Sequence, residues 1–248
     1  MSVLVLRLAG PLQSWGASAR FARRTTETAP TKSGVSGLLA AALGRDRTAD
    51  LSDLAALRFA VRLDQPGTRL RDFQTARHAD TEKAMPVSHR FYLADAVFIA
   101  AVAGADGLIE ALHEAVRSPI HLPYLGRRSC PPQGPLDLGV RETDDPVAAL
   151  RTERWQASPW YREQRRREES VTLTVLADAA TADGPGDSVN DHPVSFDPRH
   201  RRYAPRSVVS ASVDVANPNH RPGRSHHPAH VPVPRHEPEA LLSPLDGP

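Results

Sequence analysis

One cysteine, Cys130, in 248 residues excludes an internal disulfide and any multi-cysteine zinc site, which fits a reducing compartment. Lysine is scarce as well, since only Lys32 and Lys83 interrupt a basic set of 31 residues that is otherwise arginine. Arginine offers a planar fork of donors suited to phosphate and to stacking on bases. A GC-rich genome, which also favours the many alanines, explains the same bias. The excess of one sign of charge is small: 31 basic against 29 acidic residues leave a formal +2, so a role in binding nucleic acid must rest on local patches. Long apolar runs are missing too. The opening MSVLVLRLAG lacks a basic n-region and stops short of a secretory signal, and no later segment approaches the ~20 apolar residues needed to span a bilayer. A cytoplasmic protein with no membrane partner is expected. There is no P-loop, no Rossmann glycine fingerprint, no HExxH and no internal repeat, and neither a cofactor nor a metal is expected.

What is present reads as alternating elements. Ser2 to Ala9 is a short apolar, β-branched run that predicts a buried strand, closed by Gly10 and Pro11. Val35, Leu38, Leu39, Ala42 and Leu43 share one helical face, with Ser33 as the expected N-cap and Gly44 as the expected C′ residue. Phe59, Val61 and Leu63 alternate as in a half-buried strand, and Val97, Phe98, Ile99 and Val102 form the core of another. Leu108, Ile109, Leu112, Ala115 and Val116 share a face of a helix that begins at Asp106 and stops before Pro119. A strand over about 136–141 completes a βαββαβ order, the ferredoxin-like or RNA-recognition-motif (RRM) arrangement within an α+β chain. The polar stretch from Gln65 to about His89 reads as an overlong loop. Further on, SVTLTVLAD alternates as a strand, DAATADGPGDSVND reads as a flexible acidic loop, and RSVVSASVDV from Arg206 suggests a last strand. After Asn217 the chain is too rich in proline and histidine to pack a core.

Several stretches carry candidate chemistry. The segment from Gly10 to Gly34 enters a helix start at Thr31, Lys32, Ser33 and Gly34, where free backbone N–H groups attract anions, with Arg20, Arg23 and Arg24 adding charge. An ordinary capped helix after a long loop explains the same residues. The run holding Trp155, Trp160, Tyr161, Arg162, Arg165, Arg166 and Arg167 could stack bases, or form a solvated loop whose interleaved arginines and glutamates cancel. His220, His226, His227, His230 and His236 suit a flexible tail better than a metal site. PYLGRRSCPPQGP, Pro123 to Pro135, sets Arg127 and Arg128 in a loop restricted by proline and freed by glycine, with Cys130 as a small packing residue.

Three sets of stretches occur together and in order: LRLAGPLQSWG with PTKSGVSGLLAAALG, RDFQTA with RFYLADAVF, and PYLGRRSCPP. From residue 1 to about 215 the chain resembles the CasD family, the Cascade subunits of type I-E CRISPR systems that hold the 5′ end of the guide RNA. The resemblance implies an RRM-like part over 1–142 with a protruding thumb inserted at about 67–89. A small β-rich part over 143–216 follows, and the tail over 217–248 departs from the family's compact ending. It implies a non-catalytic subunit that grips the 5′ handle of the CRISPR RNA (crRNA) and caps the CasC backbone filament. CasA would be a further partner, and target DNA would be met indirectly through the complex. On this reading Arg23, Arg24, Lys32, Arg127 and Arg128 neutralise handle phosphates, Ser33 and Gly34 supply backbone donors, and Gln13, Trp15 and Tyr124 read or stack on bases. Relatives from type I-C systems cleave repeat RNA with a tyrosine, lysine and histidine set. His78, Lys83, His89 and Tyr92 supply the residue types here without aligning to that set, and a purely structural adaptor is the other alternative.

Overall fold

The computed structural model describes residues 1–16, 23–181 and 186–222. In chain order the elements are β1 (Ser2–Ala9), β2 (Leu12–Gln13), β3 (Arg23–Arg24), α1 (Lys32–Ala42), α2 (Ser52–Ala56), β4 (Arg58–Gln65), β5 (Thr68–Gln74) and β6 (Ser88–Ala94). They continue with β7 (Val97–Gly104), α3 (Asp106–Arg117), β8 (Asp137–Arg141), α4 (Pro146–Thr152), α5 (Pro159–Gln164), β9 (Ser170–Asp178), β10 (Asp187–Ser195) and β11 (Arg202–Ala216).

Strand β1 is apolar along its whole length because both of its faces are covered. Leu4, Leu6 and Leu8 pack with Phe98, Ala100 and Val102 against Leu38 and Leu39 of α1 and Ile109 and Leu112 of α3. Val3 and Val5 turn the other way and join Ile99, Ala101, Val147, Leu150 and Trp155. A strand buried on both sides loses the alternation that marks a half-exposed one. The large sheet runs β10-β11-β9-β4-β7-β1-β8, and every neighbouring pair in it is antiparallel. Few helices accompany it, so the architecture is mixed α and β. Strand β9 pairs with β4 through Ala60↔Ala177 and Arg62↔Val175, so the C-terminal strands extend the sheet begun by the N-terminal ones.

Three local expectations change. The side chain that caps α1 is Thr31, whose hydroxyl accepts from Gly34 N–H at 3.2 Å, and Ser33 already lies inside the helix. Gln65 to His89 is no unstructured loop: β5 and β6 form an antiparallel ribbon registered from Thr68↔Ala94 to Gln74↔Ser88. The ribbon has no apolar face for periodicity to reveal, because nearly all of β5 is exposed. Part of the acidic stretch is strand β10, whose buried Asp191 takes two guanidinium bonds from Arg206 at 2.6 and 3.0 Å. Gly44, at φ +74, closes α1 as expected.

The side opposite α1 and α3 is tied together by charge. Arg62, fully buried, donates Nε to Asp64 Oδ1 at 2.7 Å and Nη2 to Asp64 Oδ2 at 3.0 Å. Its remaining N–H groups donate to the carbonyls of Leu150, Glu153 and Arg154. Asp64 in turn accepts from the Gln156 N–H at 2.6 Å, while its carbonyl takes the Trp155 indole N–H at 2.9 Å. The chain after α4 is thereby fastened to β4. Removing one partner of such a pair strands the other in low dielectric, so Arg62→Ala is expected to cost about 3–5 kcal/mol. Urea unfolding measures this, and a midpoint equal to that of the unaltered protein would show the pair to be dispensable.

Candidate nucleic-acid interface

The second sheet is small and centres on β6. Strand β5 pairs along one edge of β6; on the other edge β2 pairs at Leu12↔Ala94 and Gln13↔Leu93, and β3 runs parallel at Arg23↔His89 and Arg24↔Arg90. Side chains of a strand alternate between faces and cross-strand partners share one. One face therefore carries Arg23, Arg71, Phe73, His89 and Phe91, and the other carries Arg24, Leu70, Asp72, Arg90 and Tyr92. Arg23 sits over the Phe91 ring at 5.6 Å, and Arg71 Nη2 donates to His89 Nδ1 at 3.2 Å.

The loop that follows α3 packs on this ribbon. Gly126 adopts φ +84, and a Cβ there would lie 1.9 Å from the Ser14 carbonyl oxygen, so the tight approach demands glycine. Ser14 N–H donates to Leu125 O at 3.1 Å, and Leu125 N–H to Cys130 O at 2.7 Å, closing the loop on itself. Held in this way, Arg127 spreads its guanidinium over the carbonyls of Phe91 (3.1 Å), Arg24 (2.7 Å) and Thr25 (3.4 Å) and lies 4.8 Å above the Tyr92 ring. Arg128 beside it is exposed. Cys130 is fully buried, and burial pushes its thiol up, away from the thiolate a nucleophile needs.

The expected RNA-facing residues divide into two sets. Arg23, Arg24 and Arg128 are exposed and Tyr124 is half-buried, all near the ribbon or its loop. Arg127 is committed to backbone carbonyls, so its part is to join the loop to β6 and to the chain after β3. Gln13 and Trp15 are fully buried, where stacking on or reading a base is closed to them. The Gln13 amide donates to Leu8 O at 3.0 Å and Ala96 O at 2.8 Å and accepts the Trp15 indole N–H at 3.0 Å. The start of α1 does attract an anion, but that anion is the chain's own: Lys32 N–H donates to Asp191 at 2.8 Å and Lys32 Nζ to Asp178 at 3.2 Å. Ser33 is buried, and the space over Gly34 is filled by the Trp15 ring, 2.8 Å from where a Cβ would stand, so no phosphate reaches this helix start. Arg20 and the histidines from His226 to His236 lie outside the described residues.

Sequence reasoning missed Arg71, Phe73, His89 and Phe91 as a group. Their alternation around the β5–β6 register would have exposed them had the ribbon been seen. The aromatic run after α4 splits: Trp155 is buried under Tyr161, Trp160 is half exposed, and Arg165 and Arg166 pair with Glu168 and Glu163. Among the described residues no cluster of histidine, cysteine and carboxylates could hold a metal, and no helix is long and apolar enough to cross a membrane.

The family model described as CRISPR-associated protein (Cas_Cas5) matches residues 3–209. The chain belongs to that family. Among curated relatives, the CRISPR system Cascade subunit CasD of Escherichia coli (strain K12) is 42% identical over 169 residues, covering 60% of this chain and 75% of that one. A solved chain described as part of a CRISPR RNA-guided surveillance complex superposes with a TM-score of 0.71 at 33% identity, over 90% of this chain and 95% of that chain. Another, described as a crystal structure of a Cas protein, gives 0.66 at 37% identity, over 89% and 98%. Within this Cas5 chain the loop glycine and the exposed loop arginine separate cleanly. Gly126→Ala is expected to lose roughly 1–3 kcal/mol of stability from backbone strain and displacement of the loop, whereas Arg128→Ala stays within about 0.5 kcal/mol of the unaltered protein. Thermal melts of the two variants distinguish them, and equal melting temperatures would mean the loop tolerates a Cβ at position 126.

Proposed function

We propose that this chain is the subunit of a type I-E Cascade complex that grips the 5′ handle of the crRNA, acting by binding rather than catalysis in the cytoplasm. The observation that carries this reading is that exposed Arg23 and Arg24 lie on β3 at the edge of β6, and that the loop carrying exposed Arg128 is tied to β6 and to the chain after β3 by the Arg127 bonds. Guanidinium groups presented along an edge would neutralise successive phosphates of a single strand. Tyr124, half-buried at the entrance to the same loop, would stack on a splayed base in this reading.

The order β8-β1-β7-β4 within the large sheet, with α1 and α3 on one side, supports reading residues 1–142 as a ferredoxin-like, RRM-type unit. The β5–β6 ribbon is its thumb at about 67–89, and 143–216 is the appended β-rich part. In this assignment the chain ends the filament of CasC subunits, contacts CasA, and meets target DNA only through the assembled complex.

The residue types of a cleaving relative are scattered. His89 and Tyr92 lie on opposite faces of β6, and Tyr92 is buried beneath Arg127. His78 and Lys83 face each other by a backbone bond of 3.0 Å nearer the ribbon's tip. A general base, an acid and a nucleophile need mutual reach, which supports binding over cleavage.

Handle-RNA affinity measured against salt tests the proposal. Each phosphate contact contributes about 0.7 to the slope of log affinity on log salt for a single strand, so Arg23→Ala with Arg24→Ala is expected to flatten that slope by about 1.4. An unchanged slope, or metal-independent cutting of repeat RNA by the purified chain, would overturn the assignment.

A further inference from the structure

We propose that Arg7 of β1 and Arg162 of α5 form a site for one phosphate group on the face of the large sheet opposite α1 and α3, independent of the RNA contacts proposed above. Arg7 pairs with Ile99, and Ile99 in turn pairs with Arg62, so the three side chains lie in one row on the face that carries Trp155. The backbone of Arg7 is held on its other edge as well, where its N–H donates to Leu136 O at 2.7 Å. The chain after α4 is laid along this face by β4: Asp64 takes the Gln156 N–H, and Gln65 Oε1 takes the Ser158 N–H at 3.0 Å and its hydroxyl at 2.6 Å. Helix α5 begins there, and Arg162 sits in its first turn, its N–H donating to Ser158 O at 3.0 Å. Two fixed elements thus bring the two guanidiniums within electrostatic reach of each other.

Every carboxylate near them is already spent. Asp64 gives Oδ1 to Arg62 Nε and Oδ2 to Arg62 Nη2 and Gln156 N–H. Glu153 is taken by Arg141, Glu163 by Arg166 and Asn219, and Glu168 by Arg165. Among the described residues, neither the Arg7 guanidinium nor that of Arg162 has a hydrogen-bond or ion-pair partner, and Arg162 Nε is shut off from solvent with its N–H unmet. Burial holds the Arg7 guanidinium below its ordinary range; Asp64 pulls it back in part, and the Arg162 charge lowers it further. Arginine does not shed its proton, so a half-buried pair of like charges is relieved by an anion from outside. A side-chain carboxylate is satisfied by one fork, as Asp64 is by Arg62. A phosphate spreads its acceptor oxygens around one centre and accepts from two forks at once.

Thermal melts of the full chain in rising inorganic phosphate, against potassium chloride of equal ionic strength, provide the test. A ligand that binds only the folded chain raises its midpoint with concentration. Phosphate is expected to raise the midpoint above the chloride control along a saturating curve, and Arg7→Gln and Arg162→Gln are each expected to weaken the apparent affinity by about tenfold or more. In chloride alone both variants are expected to melt no lower than the unaltered chain, because each relieves a like-charge contact. Arg23→Ala with Arg24→Ala is expected to keep the phosphate effect, so failure here is distinct from failure of the RNA reading. A short oligouridylate, added to that double variant, identifies the source of the group: a rise in midpoint that Arg162→Gln removes assigns a nucleic-acid phosphodiester, and no such rise assigns a free phosphate. Equal midpoints in phosphate and chloride, a phosphate effect that survives both glutamine substitutions, or lower midpoints of both variants in chloride overturns the site.

Discussion

The Arg127 guanidinium is the constraint on which the exposed face of this Cas5 chain depends. Its N–H groups reach the carbonyls of Phe91, Arg24 and Thr25, and its plane covers the Tyr92 ring. One side chain thus joins the loop after α3, the central strand of the small sheet and the chain leaving β3. A short parallel pairing of two residues, such as β3 on β6, has little stability of its own. The fork holds it in place, and Gly126 makes that possible by letting the loop approach Ser14 more closely than any side chain would permit.

Beneath that face, residues that look like ligands for RNA are used to make the protein fit itself. Gln13 and Trp15 satisfy each other and two backbone carbonyls in a fully buried site. Lys32, Asp178, Asp191 and Arg206 form a neutral cluster that fastens the start of α1 to β9, β10 and β11. Arg62 and Asp64 do the same for the chain after α4. Buried polar groups are costly unless paired, so each of these networks fixes one arrangement of elements.

The parts of this architecture that bury apolar side chains were legible. Strands β1, β4 and β7 and helices α1 and α3 announced themselves through periodicity because each packs against a core. The β5–β6 ribbon did not, since β5 is exposed along nearly its whole length and β6 buries only Tyr92 and Leu93, too few apolar positions for hydrophobic pattern to reveal a pair held by main-chain bonding. Strand β10 hid for a related reason: its buried Asp191 is stabilised by Arg206 and the Lys32 N–H, a long-range pairing invisible in the local sequence. Of the candidate site, the exposed arginines were legible as charge, whereas the burial of Gln13, Trp15, Lys32 and Ser33 depends on contacts distant in sequence. Arg71, His89 and Phe91 could not be grouped before the ribbon's register was known.

The account proposes that RNA lies on the small sheet around β6 and not at the start of α1, where the Lys32 N–H and Nζ are already taken by Asp191 and Asp178. Photocrosslinking of handle RNA carrying 4-thiouridine and 6-thioguanosine, followed by mass spectrometry of the attached peptides, tests that claim most directly. Crosslinks to the peptides that contain Arg23, Phe73, Phe91 and Tyr124 are the result the account predicts. Crosslinks confined to the peptide running from Thr31 to Gly37 would contradict it.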